Sequence, residues 1–426
     1  MTQKTTKEGD SMLNRGKFKV VFGVLAIIFA VVLVFFSCVP VTPPAASKEV
    51  VIQTSRHVHI TNAHLVYARD GLTGTWTKLT GTNGIYKFNV NDPNGIYSVA
   101  VAEPKVGYSE KRVYLYNAKL SETNFIPVDV GNPTDEDAAT LTINVPAQYS
   151  GKQLSVFFSH EHRFPEVEDG KAVAFGLPKA KGDLVIFVGS PWSDEGFEKI
   201  AIKRDFVLDS DRSLSITESD LKDIELAPAF TDISMNWLIG GNCYVFGGYK
   251  IPSSLKSDKD LYVFSYTDYS VKRFSYSEYR KDFPTTTPFA TSSINPANYP
   301  TTPFSTSTTS NSVKVTVSPY SPGISGIDTI LYSFMLYSYT GVNEGGWPNR
   351  DVTYVVDLSS GYLAELTNNE YTLPIIGGDF AEFDIDLAKS IIVDESFYFP
   401  NYIASNKTLK DYFIPVDGLK VLEKFR

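Results

Sequence analysis

Apolar and polar residues alternate with period two along most of this chain. Tyr86, Phe88 and Val90 fall on one side of an extended segment, with Lys87 and Asn89 on the other. Asp92-Pro93-Asn94-Gly95 then supplies a turn, and Tyr97, Val99 and Val101 resume the alternation. Successive side chains of a strand point to opposite faces, so this pattern predicts a hairpin with one face buried. The same signature predicts strands at Val113–Tyr116, Leu141–Val145, Leu154–Phe158, Val173–Phe175, Leu184–Val188, Ile200–Ile202, Phe206–Leu208 and Leu214–Ile216. Gly, Asn, Asp and Pro punctuate them, which predicts an all-β fold of sandwich or barrel class. Helical spacing is confined to short stretches, Ser219–Leu226, Ser277–Lys281 and Leu409–Phe413.

The pattern also repeats. One unit runs from Gly84 to Val90 and from Gly95 to Pro104; a second runs from Gly170 to Leu177 and from Gly182 to Pro191. In each, a glycine-led strand, a short turn and a longer apolar strand ending at proline precede an alternating strand (Lys111–Leu115; Glu198–Ile202). This predicts tandem small β-sandwich modules at 50–132 and 133–228, divided at the linker-like Gly131-Asn132-Pro133-Thr134-Asp135-Glu136-Asp137. Residues 229–426 read as one larger β-domain, with strands at Trp237–Phe246, Leu261–Tyr266, Val313–Val317, Ile330–Leu336, Val352–Asp357 and Ser390–Val393. Inside it, residues 284–312 carry no charge and are dominated by Thr, Ser, Pro and Asn, which predicts a long inserted loop.

The first 37 residues obey a different pattern. Lys4, Lys7, Arg15, Lys17 and Lys19 precede an uncharged apolar run from Val20 to Phe36, and residues 38–49 are a Pro/Thr/Ala-rich tether. The layout is that of an export signal or a membrane anchor. The run is 17 residues long, at the lower limit for spanning a bilayer. The whole chain carries −9. Residues 1–37 hold five basic and two acidic residues, so the remainder carries −12. An acidic body without a Lys/Arg cluster argues against nucleic acid as a partner.

Two resemblances follow from these residues. Phe35-Phe36-Ser37-Cys38 resembles the lipobox of bacterial lipoproteins. That resemblance implies cleavage before Cys38 and lipid attachment to its thiol, in a protein held at the cell envelope and facing the periplasm or the exterior. The alternative is an uncleaved transmembrane anchor with the same outward orientation. Val66-Tyr67-Ala68-Arg69-Asp70-Gly71, Gly74-Thr75-Trp76-Thr77-Lys78-Leu79 and the Tyr86/Phe88/Val90 pattern are similar to carboxypeptidase-regulatory, or transthyretin-like, β-sandwich modules. That similarity implies a spacer or binding platform and brings no catalytic residue.

Candidate chemistry is sparse. Cys243, in Gly240-Gly241-Asn242-Cys243-Tyr244, reads as a small buried hydrophobe. His57-Val58-His59 with His64, and His160-Glu161-His162, read as polar strand ends and loops. Asp209-Ser210-Asp211-Arg212-Ser213 opens like a calcium loop, but Leu214 stands where an EF-type loop needs its sixth-position glycine, and Arg212 adds a positive charge. No metal or cofactor is therefore expected. Asp384 and Asp386 are the carboxylates a polysaccharide hydrolase would need, set in ordinary strand patterning. The aromatic candidate is Trp347, in Asn343-Glu344-Gly345-Gly346-Trp347-Pro348-Asn349-Arg350-Asp351. An indole in a polar loop beside Asn349 and Arg350 suits a sugar ring or a protein surface. The sequence thus predicts a tethered, non-catalytic binding or adhesion protein for a polysaccharide or protein ligand. The alternatives are a structural spacer or assembly subunit and an exported polysaccharide hydrolase.

Overall fold

Period-two alternation becomes strand almost wherever it occurs. The fold is that of a computed structural model, which describes residues 48–56, 59–104, 110–130, 138–159, 161–189, 196–241, 243–268, 274–289, 304–309, 312–319, 327–342, 348–404 and 406–424. Strands hold 57% of the described residues and helices 6%, so the fold is all-β. Residues 1–37, read above as a signal or anchor, and 38–47 lie outside the described residues, Cys38 among them. No helix among the described residues is long and apolar enough to cross a membrane.

The repeat seen in sequence reappears as a repeat of strand pairing. In the first unit, Glu49–Arg56 pairs antiparallel with Ile85–Asn89 and parallel with Phe125–Asp129. The facing layer runs in the order Thr77–Lys78, Leu65–Asp70, Ile96–Glu103, Lys111–Lys119. In the second unit, Ala138–Asn144 pairs antiparallel with Lys171–Pro178 and parallel with Arg212–Ser215. Its facing layer runs Glu161–Arg163, Leu154–Phe158, Ala180–Gly189, Phe197–Leu208. Each unit closes its own apolar core between two layers: Val50, Ile52, Tyr97, Val99 and Ile126 in the first, Leu141, Ile143, Val156, Ile186 and Leu208 in the second.

The outer edge of the facing layer is used differently in the two units. In the second, Phe197–Leu208 takes only the two-residue strand Lys222–Asp223. In the first, Lys111–Lys119 pairs in parallel with Pro348–Ser359, Val352 opposite Lys111 and Leu358 opposite Asn117. This seam continues the layer into a 12-stranded sheet. From the seam outward the order is Pro348–Ser359, Ile327–Val342, Ser390–Ala404, Lys420–Lys424, Phe274–Arg280, Leu261–Asp268, Ser234–Ile239 and Cys243–Phe246. The sheet thus draws strands from both 50–132 and 229–426, and Lys48–Arg426 is one compact unit.

Strand Ile96–Glu103 shows the result. All eight of its residues are buried. Tyr97, Val99 and Val101 face the first unit's small layer, while Ala100 and Ala102 face a second apolar layer with Val313, Val315 and Tyr371. That layer is the three-stranded sheet Phe304–Thr309, Ser312–Val317 and Glu370–Thr372. A strand covered on both faces needs no polar side, which is why this stretch reads Ala-Val-Ala at its centre.

Two expected helices are corrected. Ser277–Lys281 lies almost wholly in strand Phe274–Arg280, paired on both sides with Leu261–Asp268 and Lys420–Lys424. Tertiary pairing and aromatic residues override a five-residue helical spacing. Ser219–Leu226 is a turn followed by two-residue strands at Lys222–Asp223 and Glu225–Leu226. Leu409–Phe413 is a helix, opened by a capping box between Thr408 and Asp411. Part of the inserted stretch 284–312 is not loop: Phe304–Thr309 forms a hairpin with Ser312–Val317.

Candidate functional site

The longest hairpin of the large sheet is Ile327–Val342 with Pro348–Ser359, which carries Arg350 of the aromatic candidate's motif. Trp347 lies outside the described residues, and of Asn349 only the backbone is described. Arg350 is described: its guanidinium lies 4.3 Å from the ring centre of Tyr337, the geometry of a cation–π contact. Pairing to Lys111–Lys119 stops at Val352, and pairing to Ser390–Ala404 stops at Tyr339. The hairpin itself continues to Val342 opposite Pro348, so its tip runs past both neighbours. Val342 on that tip is 68% exposed.

Away from the hairpin, two polar cavities are lined by described residues. The larger, of about 580 Å³, is lined by Lys181, Asp183, Arg204, Asp205, Gly240 and Lys259. Its floor is an ion triad joining the second sandwich to the large sheet. Arg204 Nη1 donates to Asp183 Oδ2 and Asp260 Oδ1, both at 2.7 Å, and Nη2 donates to Asp260 Oδ2 at 2.5 Å and to the Leu255 carbonyl at 2.6 Å. Asp260 is fully buried and also accepts from the Gly240 and Ser257 N–H groups at 2.9 and 2.8 Å. Every oxygen of this floor is engaged, so the cavity presents a satisfied lattice, the mark of a structural junction. Gly240 is required there: its φ is +61°, and a Cβ would stand 2.1 Å from Asp183 Oδ2.

The smaller cavity, of about 450 Å³, is lined by Glu278, Arg280, Asp282, Phe283, Thr285 and Asp417, among others. Its floor is not satisfied. Glu278 is 4% exposed, and its Oε1 accepts from Arg280 Nε at 2.7 Å. Its Oε2 is buried and has no hydrogen-bond partner among the described residues. Arg280 is held in turn by the Pro288 carbonyl at 2.9 Å. Sequence reasoning missed this pair because it took Ser277–Lys281 for a helix. The available signal was the i, i+2 spacing of Tyr276, Glu278 and Arg280, which places two charges on the face of a buried tyrosine.

The remaining candidates have ordinary roles. Cys243 is fully buried, and burial pushes its thiol well above the usual range. His57, His160 and the side chain of His59 lie outside the description; His64 stands beside Phe383, and His162 packs among Phe157, Phe164 and Phe246. In the calcium-like stretch, Asp211 accepts from the Thr140 N–H, Glu218 from Tyr149 and Gln148, and Asp220 from Lys203 and Thr217. Among the described residues no three His, Cys, Asp or Glu side chains are grouped to hold a metal ion. Asp384 accepts from the N–H groups of Ile376 and Gly377, and Asp386 accepts from the N–H of Ala388 and pairs with Lys389. Both act as loop carboxylates.

No family model and no curated protein matches the chain. Among solved structures, it has a likeness to the Bacillus anthracis TIE protein at 13% identity, covering 55% of this chain and 45% of that one, with a TM-score of 0.16. A leucine-rich repeat protein from Bacteroides thetaiotaomicron VPI-5482 matches at 12% identity over 41% of this chain and 26% of its own, with a TM-score of 0.12. The chain thus spans less than half the length of either.

Proposed function

We propose that this chain is an exported, membrane-tethered β protein of the bacterial cell envelope whose role is recognition without catalysis. Its polysaccharide or protein ligand is met at the tip of the Ile327–Val342/Pro348–Ser359 hairpin. The tether is the lipid on Cys38 or an uncleaved anchor at 20–36. The observation that supports the reading is the hairpin's reach beyond both neighbouring strands, with Val342 exposed and Arg350 laid over Tyr337. A tip carried by the interior of a wide sheet is held rigid, and rigid aromatic and guanidinium groups lose little entropy on binding. The sequence adds Trp347 and Asn349 to the same tip.

The test is a panel of cell-wall and host polysaccharides presented to the full chain in detergent, with Trp347→Ala and Arg350→Ala alongside. Binding that either variant weakens about tenfold or more, at unchanged thermal stability, supports the tip as the recognition surface. Binding that neither variant changes removes the tip from the interface. Silence from all three proteins favours the spacer or assembly role, in which the two repeated sandwiches carry the large sheet away from the membrane.

A further inference from the structure

The cavity floored by Glu278 has an unmet demand, and its sign is specific. Every carboxylate oxygen in the Asp183–Arg204–Asp260 floor has a partner, whereas Glu278 Oε2 is buried without one among the described residues. A carboxylate oxygen only accepts, so the missing partner is a donor. The one guanidinium in the lining, Arg280, is already committed to Glu278 Oε1 and the Pro288 carbonyl. Lys420 is the register partner of Glu278 on the neighbouring strand, and among the described residues no ion pair joins the two. The adjoining stretch 284–312 contains no Lys or Arg to supply a charge-bearing donor.

The rim points the same way. Among the described residues the almost fully exposed Asp282 reaches only Lys256, at 3.4 Å, and the exposed Asp417 accepts from the Lys281 N–H at 2.7 Å. Three carboxylates against one guanidinium leave the lining net acidic. The hydroxyl of Thr285 and the ring of Phe283 complete a wall in which acceptors outnumber free donors. A volume of about 450 Å³ lies within the range of small-molecule sites.

We propose that this cavity binds a primary ammonium group, with Glu278 Oε2 as its buried acceptor and Asp282 and Asp417 as the acidic rim that attracts it. The group would be carried by an amino sugar or by a short aliphatic diamine, since both present the same –NH₃⁺. The site is separate from the hairpin tip and does not depend on it.

Isothermal titration of the full chain in detergent tests this with three probes: glucosamine, N-acetylglucosamine and 1,5-diaminopentane. Binding of glucosamine but not of its N-acetyl form, or binding of the diamine, supports the site, and whichever amine is tighter identifies the carrier. Glu278→Gln should weaken that binding at least tenfold. Asp282→Asn, on the exposed rim, should weaken it about two- to fivefold without touching the fold, and the loss should shrink at high salt. If Glu278→Gln fails to fold, the Asp282→Asn/Asp417→Asn double variant carries the test. Equal binding of glucosamine and N-acetylglucosamine, no binding of either amine at about 10 mM, or affinities that the rim variants leave unchanged would each overturn the proposal.

Discussion

Replacing Arg204 by methionine probes what holds the second sandwich to the large sheet. The substitution keeps an apolar stem of similar length and deletes four hydrogen bonds, two of them to Asp260. Asp260 is fully buried and would keep only the Gly240 and Ser257 N–H groups. Asp183, 12% exposed, would keep the Asp205 N–H at 3.0 Å. Two carboxylates that now share one guanidinium nitrogen would repel each other with nothing between them. Breaking a buried pair by removing one partner costs about 3–5 kcal/mol, because a charge is left uncompensated away from water. Arg204→Met is therefore expected to lose about that much. Arg204→Met/Asp260→Leu/Asp183→Ala should recover a large part of it, since an apolar replacement of the whole triad removes the stranded charges. Urea denaturation reports this through Trp237, with the other three tryptophans changed to phenylalanine. Trp237 is buried at the same junction, 5.8 Å from the Phe187 ring, and its Nε1 donates to the Tyr249 carbonyl at 2.6 Å. A loss under about 1 kcal/mol, the value of an exposed pair, would mean that water reaches the triad and the junction is held by its apolar contacts alone.

Two further predictions concern buried titratable groups. Asp357 is buried on the seam strand, and burial lifts its carboxyl from 3.8 to about 6, with a hydrogen bond from Ser333 acting in the opposite direction. The folded state then binds more protons than the unfolded chain, so this group's destabilisation is present above pH 6 and fades as pH falls toward 4. Asp357→Asn should raise stability at pH 7.5, by up to about 3 kcal/mol, and flatten the pH profile of urea midpoints between 4 and 7; an unchanged profile would refute it. Cys243 should resist iodoacetamide in the folded protein and react fully in urea, read by peptide mass, because the nucleophile is the thiolate and burial suppresses it.

The strand pattern was legible because it is local. Tyr86/Phe88/Val90 and Tyr97/Val99/Val101 declare one buried face each, and the glycine-led repeat at Gly84 and Gly170 falls on strands that pair alike, Ile85–Asn89 with Glu49–Arg56 and Lys171–Pro178 with Ala138–Asn144. What stayed hidden depends on distant partners. Nothing local in Lys111–Lys119 announces a parallel neighbour at Pro348–Ser359. The second buried face of Ile96–Glu103 was likewise obscure, since its cover comes from Val313, Val315 and Tyr371. The Glu278–Arg280 pair was misread because the one tyrosine and three charges of Ser277–Lys281 fit a helix turn as well as a strand. Of the hairpin tip, the sequence offered the residue types but not the reach, which is a property of where neighbouring strands stop.

The parallel seam has a consequence for how the chain reaches its native state. The side chain of Asn117 donates to the carbonyl of Asp357, 240 residues further on. Contacts so distant are slow to form, because the loop must close before any pairing rewards it. Synthesis proceeds from the N-terminus, so the first sandwich emerges long before the strand that completes its layer. Until then Lys111–Lys119 is an open sheet edge, and Leu65, Tyr67, Ala100, Ala102, Val113 and Leu115 form an uncovered apolar face. An unpaired edge next to such a face is a template for association with other chains. The seam that completes the 12-stranded sheet therefore defines an interval during synthesis in which its earliest-made part depends on shielding.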